Sequence, residues 1–190
     1  MWAPLIIGGG ALVYLMRKKG SGVDAHTSQE QPDEATATKA APEEWNTAWG
    51  TPNEWDRRYP TARVDRPIPV NWNDFDPEFA RRLRAAFDTL EAQNFDPYVF
   101  EGPRSQRRQA YLWGQGRETF PVYGRKGSKV TWVLDASKHG TYPCRAADVI
   151  SRTTYWNDPK FFEAWGKAAE AQGLRWLGSI GDRPHAELRA

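Results

Sequence analysis

Of the three histidines in the 190-residue sequence, His139 and His185 stand where chemistry could be built. Ser137-Lys138-His139 follows Val130 to Leu134, an expected strand. It precedes Ala146-Ala147-Asp148-Val149-Ile150, an apolar run that reads as a strand buried on both sides. Such a strand does not hold an unpaired carboxylate without cost, so Asp148 requires a partner. Asp182-Arg183-Pro184-His185 opens a further expected strand. Two imidazoles and one carboxylate leave a fourth tetrahedral position for water, the pattern of a catalytic rather than a structural zinc site. Spacing alone leaves the plainer alternative open, in which each histidine is a surface or satisfied core residue. Cys144 is the sole cysteine and excludes any disulfide framework or multi-cysteine zinc module within the chain. It is either a free thiol or a rival ligand, since thiolate suits zinc. The third histidine, His26, lies in a polar stretch and is expected to be solvated.

The elements that must position these residues follow from local signals. Asp76-Pro77 reads as an N-cap followed by proline at the first helical position. Phe79, Leu83, Ala86, Phe87 and Leu90 then mark one helical face, with an end expected near Asn94. Tyr98-Val99-Phe100 reads as a short strand stopped by Gly102-Pro103, and Gln106 to Gly114 as a helix. Asp158-Pro159 starts another helix, with Phe162, Trp165 and Ala169 on one face and Gly173 as its C-cap. Leu174-Arg175-Trp176 and His185 to Leu188 close the domain as strands. Helices combined with a small antiparallel sheet give an α+β class.

Charge and composition divide the chain in three. The net charge of +2, from 26 basic and 24 acidic residues, argues against a strongly basic nucleic-acid binder, and no nucleic-acid partner is expected. Residues 1–19 hold three basic residues and no acidic one, and Trp2 to Met16 is free of charge. As a helix that run would span about 22 Å, short of a ~30 Å hydrocarbon core unless the following Arg17, Lys18 and Lys19 snorkel. It reads as a membrane anchor rather than a cleaved signal peptide, because the charges follow the apolar run instead of preceding it. The rival readings are an unusual export signal and an apolar arm in an assembly. Residues 20–58 hold three basic and eight acidic residues, and up to about Glu44 they read as a flexible tether. The tether ends in Trp45, Trp49 and Trp55, expected to pack back onto the domain. Residues 59–190 form that domain. The ten tryptophans exceed what one small core needs, so some are expected at a groove or an interface.

Four blocks occur in order: Glu101-Gly102-Pro103-Arg104-Ser105-Gln106-Arg107-Arg108-Gln109; Ser137-Lys138-His139 with Ala146-Ala147-Asp148; Gly173-Leu174-Arg175-Trp176; and Asp182-Arg183-Pro184-His185. Together they resemble the zinc peptidases of bacterial cell walls, the VanY-type D-alanyl-D-alanine carboxypeptidases and phage L-alanyl-D-glutamate endopeptidases. The likeness covers roughly residues 70–190. It implies a hedgehog/D-Ala-D-Ala-peptidase-like fold and a zinc ion held by His139, Asp148 and His185. It further implies Asp182 as catalytic base, Arg104 as the arginine that contacts substrate or the developing oxyanion, and Ser137 and Gln109 as supporting groups. Two features depart from the pattern. Asp148 lies nine residues after His139, where the family usually has a shorter spacing, and Cys144 stands in place of a glycine. Trp176-Leu177-Gly178 also lacks the usual glycine directly after the tryptophan. Glu187, two residues beyond His185 on the same strand face, is a rival base or an orienting group for the histidine, or else a surface charge.

The resemblance implies hydrolysis of peptide bonds in peptidoglycan, with the stem peptide as substrate. The L-Ala–D-Glu bond is the expected target, and D-alanyl-D-alanine carboxypeptidase activity is the close rival. A non-catalytic cell-wall-binding or structural protein is the alternative of a different class. With the anchor, the expected location is a membrane, either the internal membrane of a phage virion or the bacterial inner membrane facing the periplasm.

Overall fold

The computed structural model describes residues 44–134 and 138–189, and these begin with a strap folded onto the domain. A 3-10 turn at Thr47–Trp49 leads to a short helix, α1 (Glu54–Arg58). Asn53 caps α1 in a capping box, its side chain accepting from the Trp55 and Asp56 N–H groups while the Asp56 carboxylate accepts from the Asn53 N–H. Trp49 and Trp55 are fully buried. The packing expected of the tryptophans at the end of the tether is observed for both, and the strap that carries them lies against the domain. Its tryptophans lie among Pro, Asn and Gly without any periodicity, so the sequence does not indicate their partners.

Helix α2 (Pro77–Glu91) starts where the sequence predicts, with the Asp76 carboxylate accepting from the Glu78 and Phe79 N–H groups. Its Phe79, Leu83, Ala86 and Leu90 are buried. The first strand, β1 (Pro97–Glu101), follows, then α3 (Gln106–Gly114), β2 (Ala146–Ser151), α4 (Pro159–Ala171), β3 (Leu174–Trp176) and β4 (His185–Leu188). Gly173 leaves α4 with φ 74°. The strands form one antiparallel sheet in the order β1-β2-β4-β3. The architecture is α+β with a small antiparallel sheet, as the sequence indicates. Helices α2 and α4 pack on each other and on the sheet, and share a core with Val99, Ala147, Val149 and Trp165.

One expected strand is absent. Val130 to Leu134 has no ladder partner. Side chains take its carbonyls instead: Arg117 donates to Thr131 O, Gln109 to Val133 O and Gln106 to Leu134 O. Its β-branched composition is that of a strand, but it is held as a loop pinned to α3. Among the described residues no helix is long and apolar enough to cross a membrane. The expected anchor at 1–19, the tether up to residue 43, His26 and Ser137 lie outside the described residues.

Candidate metal centre

Antiparallel pairing of β2 with β4 sets Asp148 opposite His185. Alternation along β2 turns Asp148 away from the face on which Ala147 and Val149 enter the core. The third member comes from a 3-10 turn, Lys138–Gly140, whose His139 is 1% exposed. Two backbone-anchored bonds clip this turn to the end of β1: His139 Nδ1–H donates to Gly102 O at 2.6 Å, and Arg104 N–H donates to His139 O at 3.0 Å. Residue 102 has no room for a side chain, because an added Cβ would lie 2.5 Å from the Phe75 ring.

Three atoms converge. His139 Nε2 lies 3.2 Å from His185 Nδ1 and 3.3 Å from Asp148 Oδ1, and His185 Nδ1 lies 3.1 Å from the same oxygen. Tetrahedral ligands at bond lengths of about 2.0–2.1 Å stand about 3.3–3.4 Å apart, so the triangle has the size that such an ion requires. The opposite side of each ligand is tied down. His139 uses Nδ1 on Gly102 O, which leaves Nε2 as the lone-pair nitrogen. His185 Nε2 faces Glu187 Oε2 at 3.3 Å, which leaves Nδ1 for the centre. Asp148 Oδ2 accepts from Arg104 Nη2 at 3.0 Å, which leaves Oδ1. This outer support fixes tautomer and orientation. The His139, Asp148 and His185 group could hold a metal ion.

Arg104 is itself gripped from three sides. It donates from Nε and Nη2 to both oxygens of Glu101, from Nη1 to Gln109 Oε1, and from Nη2 to Asp148. One Nη1–H is left without a protein partner among the described residues. Glu101 is 2% exposed and also receives Arg108. Burial works against its charge, but the two guanidiniums outweigh that and hold its carboxyl below the usual range. Sequence reasoning assigned Glu101 no role. The signal was present in an acid followed by arginines three and seven residues later. Asn53 and Asp56 were missed as well. Asn53 Nδ2 donates to Arg104 O at 3.0 Å, and the Asp56 carboxylate accepts from the N–H groups of Gln106 and Arg107 at the start of α3. A cleft of about 300 Å³ has Arg104, Gln109 and the neighbours of His139, Lys138 and Gly140, among its walls, and none of the three ligands lines it.

A scan of the sequence against protein-family models finds no match, and neither does a search of curated proteins.

The electrostatics follow from the packing. Burial disfavours the charge on Asp148, but His139, His185 and Arg104 overcome it and hold the carboxyl well below its ordinary range. Burial likewise lowers the basicity of His185, yet its bonds to Asp148 and Glu187 reverse this and raise its pKa to about 9. Asp182 is exposed on the β3–β4 connection, but the protein beside it and the negative charge of Asp148 push its carboxyl up. It lies outside the ligand triangle while remaining close enough to be influenced by both histidines and Arg104. The connection that carries it is fixed by Trp176, whose indole donates to Arg183 O at 2.7 Å and lies against Gly178, where any Cβ would overlap the ring. Glu187 is 8% exposed and bonded to His185 and Arg175, so it stands on the far side of the imidazole from the centre. Cys144 is fully buried and donates to Ala146 O, and burial pushes its thiol up to about 12. It stands outside the ligand set.

Proposed function

We propose that this chain is a zinc-dependent peptidase of bacterial peptidoglycan with a hedgehog/D-Ala-D-Ala-peptidase-like fold. The observation that carries the reading is the ligand triangle with each ligand's outer side tied, found in a sequence whose four blocks resemble cell-wall zinc peptidases. His139, Asp148 and His185 hold the ion. Zinc bound there would supply Lewis-acid polarisation of the scissile carbonyl and acidify a water toward a pKa of about 7.

The chain's own residues do the rest. Asp182 takes the proton of the attacking water and returns it to the leaving amine, a role suited by a carboxyl pKa raised toward the working range. Arg104 orients Asp148 and presents its remaining Nη1–H at the cleft wall, where an oxygen of the substrate accepts it. Gln109 holds Arg104 in that pose. Ser137, two residues before His139 in the sequence, is the remaining supporting group of this reading. The preferred bond is L-Ala–D-Glu. The charge-free N-terminal run would place the enzyme on a membrane, in a virion or at the bacterial inner membrane.

The test is digestion of purified peptidoglycan by the full chain with zinc and with a chelator, followed by mass analysis of the fragments. Zinc-dependent cleavage at L-Ala–D-Glu is expected. Release of free D-alanine instead assigns the carboxypeptidase reaction, and no fragment with zinc loaded refutes the peptidase reading.

A further inference from the structure

The loop that the sequence suggested as a strand leaves a large aromatic side chain in water. Trp132 is 76% exposed, and its neighbours Val130 and Val133 are 59% and 51% exposed. A surface tryptophan of this exposure, flanked by further apolar groups, marks a contact surface more often than an accident of packing. The loop around it is not loose. Gln109 Nε2 donates to Val133 O, Arg117 Nη2 to Thr131 O and Gln106 Nε2 to Leu134 O, while Leu134 packs inward against the Trp49 and Tyr123 cluster. Trp132 is therefore held out from a fixed backbone, and little conformational entropy is lost when it binds.

Two of the three side chains that pin this loop, Gln106 and Gln109, also line the cleft. Gln109 joins Val133 O on one side to Arg104 on the other, so the loop that carries the tryptophan is tied to the wall of the cleft. The Lys129 ammonium lies 5.2 Å from the Trp132 ring centroid. At 76% exposure much of the indole remains open to solvent. An open indole beside an ammonium fits a ligand that carries an apolar C–H face and a negative charge together. A pyranose ring offers the C–H face, and the carboxylates of attached peptides offer the charge.

We infer that Trp132 and Lys129 form a platform for the glycan strand of the wall polymer, which seats one sugar on the indole while its stem peptide enters the cleft. This rests on the proposed function for the identity of the polymer. It adds a subsite outside the hydrolytic centre, and it explains why an apolar loop tip is fixed beside a polar cleft. An anionic lipid surface would use the same residue types. The cleft-lining glutamines that hold the loop favour the polymer.

The experiment is co-sedimentation of the full chain, stripped of metal by chelator, with insoluble peptidoglycan and in parallel with anionic phosphatidylglycerol vesicles. Without metal, binding is read independently of hydrolysis. Trp132→Ala is expected to weaken wall binding about tenfold, the upper value for an aromatic stacking contact. Trp132→Tyr should restore most of it, and Trp132→Leu should not, because leucine is apolar but has no flat face. Trp156→Ala, at a 48% exposed tryptophan that packs on Phe100, serves as the control and should bind as the parent does. Wall binding by Trp132→Ala equal to the parent overturns the platform. Full rescue by leucine, or a loss confined to vesicles, overturns it in favour of lipid docking. A chain that binds the wall through Trp132 yet cuts no bond with zinc present overturns the peptidase reading and leaves the platform standing.

Discussion

Replacing Glu187 by alanine separates two roles that its place in the sequence allows, that of a base and that of an orienting group. In the structure its Oε2 lies 3.3 Å from His185 Nε2, and the pair is nearly closed to solvent, with side chains 10% and 11% exposed. This contact holds the ring so that Nδ1 faces the centre. Loss of such an outer partner costs about 10–100-fold in metal affinity, or ~1.4–2.7 kcal/mol. The other partner, Arg175, is 58% exposed and returns to water when Glu187 is removed, so it adds little to the cost. Glu187→Ala should therefore weaken zinc binding by about 10–100-fold. Glu187→Gln retains an oxygen that accepts from Nε2–H and should fall between it and the parent. The assay is competition with a chromophoric chelator at fixed pH, on the full chain. An alanine variant with unchanged affinity refutes the orienting role. Unchanged affinity with turnover reduced by ~10²–10⁴-fold would make Glu187 the base instead.

Asp182→Ala should retain zinc and lose roughly 10²–10⁴-fold in turnover, and loss of metal in that variant would make Asp182 a ligand. Metal binding should release a proton, because His185 is held near a pKa of about 9 by Asp148 and Glu187 in the metal-free protein. The protonated ring competes with the ion, so affinity should rise about tenfold per pH unit up to that value, and titration in two buffers of different ionisation enthalpy measures the release. A pH-independent affinity between about pH 6 and 8 contradicts this. Asp56→Ala orphans three backbone N–H groups, those of Asn53, Gln106 and Arg107. At ~2–4 kcal/mol for caps lost in a buried setting, thermal denaturation should show Tm lower by roughly 5–15 °C. A chain cut after residue 58 should unfold lower still than one cut after residue 43, since Trp49 and Trp55 go with the strap.

Much of this frame was legible because its signals are local. Asp76-Pro77 and Asp158-Pro159 carry their capping instructions within three residues, and both helices begin there. The carboxylate in the apolar run around Asp148 was readable as an anomaly for the same reason. What stayed hidden depends on partners far along the chain. Val130 to Leu134 has strand composition, but glutamines on α3 take its carbonyls before any strand does. The packing of Trp49 and Trp55 was expected but their partners were not: Tyr123 and the Thr141 carbonyl each lie more than seventy residues away. Arg104 was expected to face substrate. Its direct bond to Asp148, with the buried Glu101 holding the same guanidinium, was visible only once β1 and β2 lay side by side.

The strap has a consequence for how the protein comes into being. Its bonds reach from Asn53 to Arg104, from Asp56 to Gln106 and from Trp55 to Thr141, separations of 51, 50 and 86 residues. A ribosome makes residue 49 long before it makes those partners, so two of the largest core side chains spend that interval with nothing to pack against. Contacts of this span close late, because loop entropy must be overcome before they return anything. His185 is synthesised 46 residues after His139, so the nascent chain cannot assemble the triangle until β4 has emerged. The order of synthesis thus keeps the centre unassembled through most of translation, and places a demand for chaperone protection on the strap, which is made well before its partners.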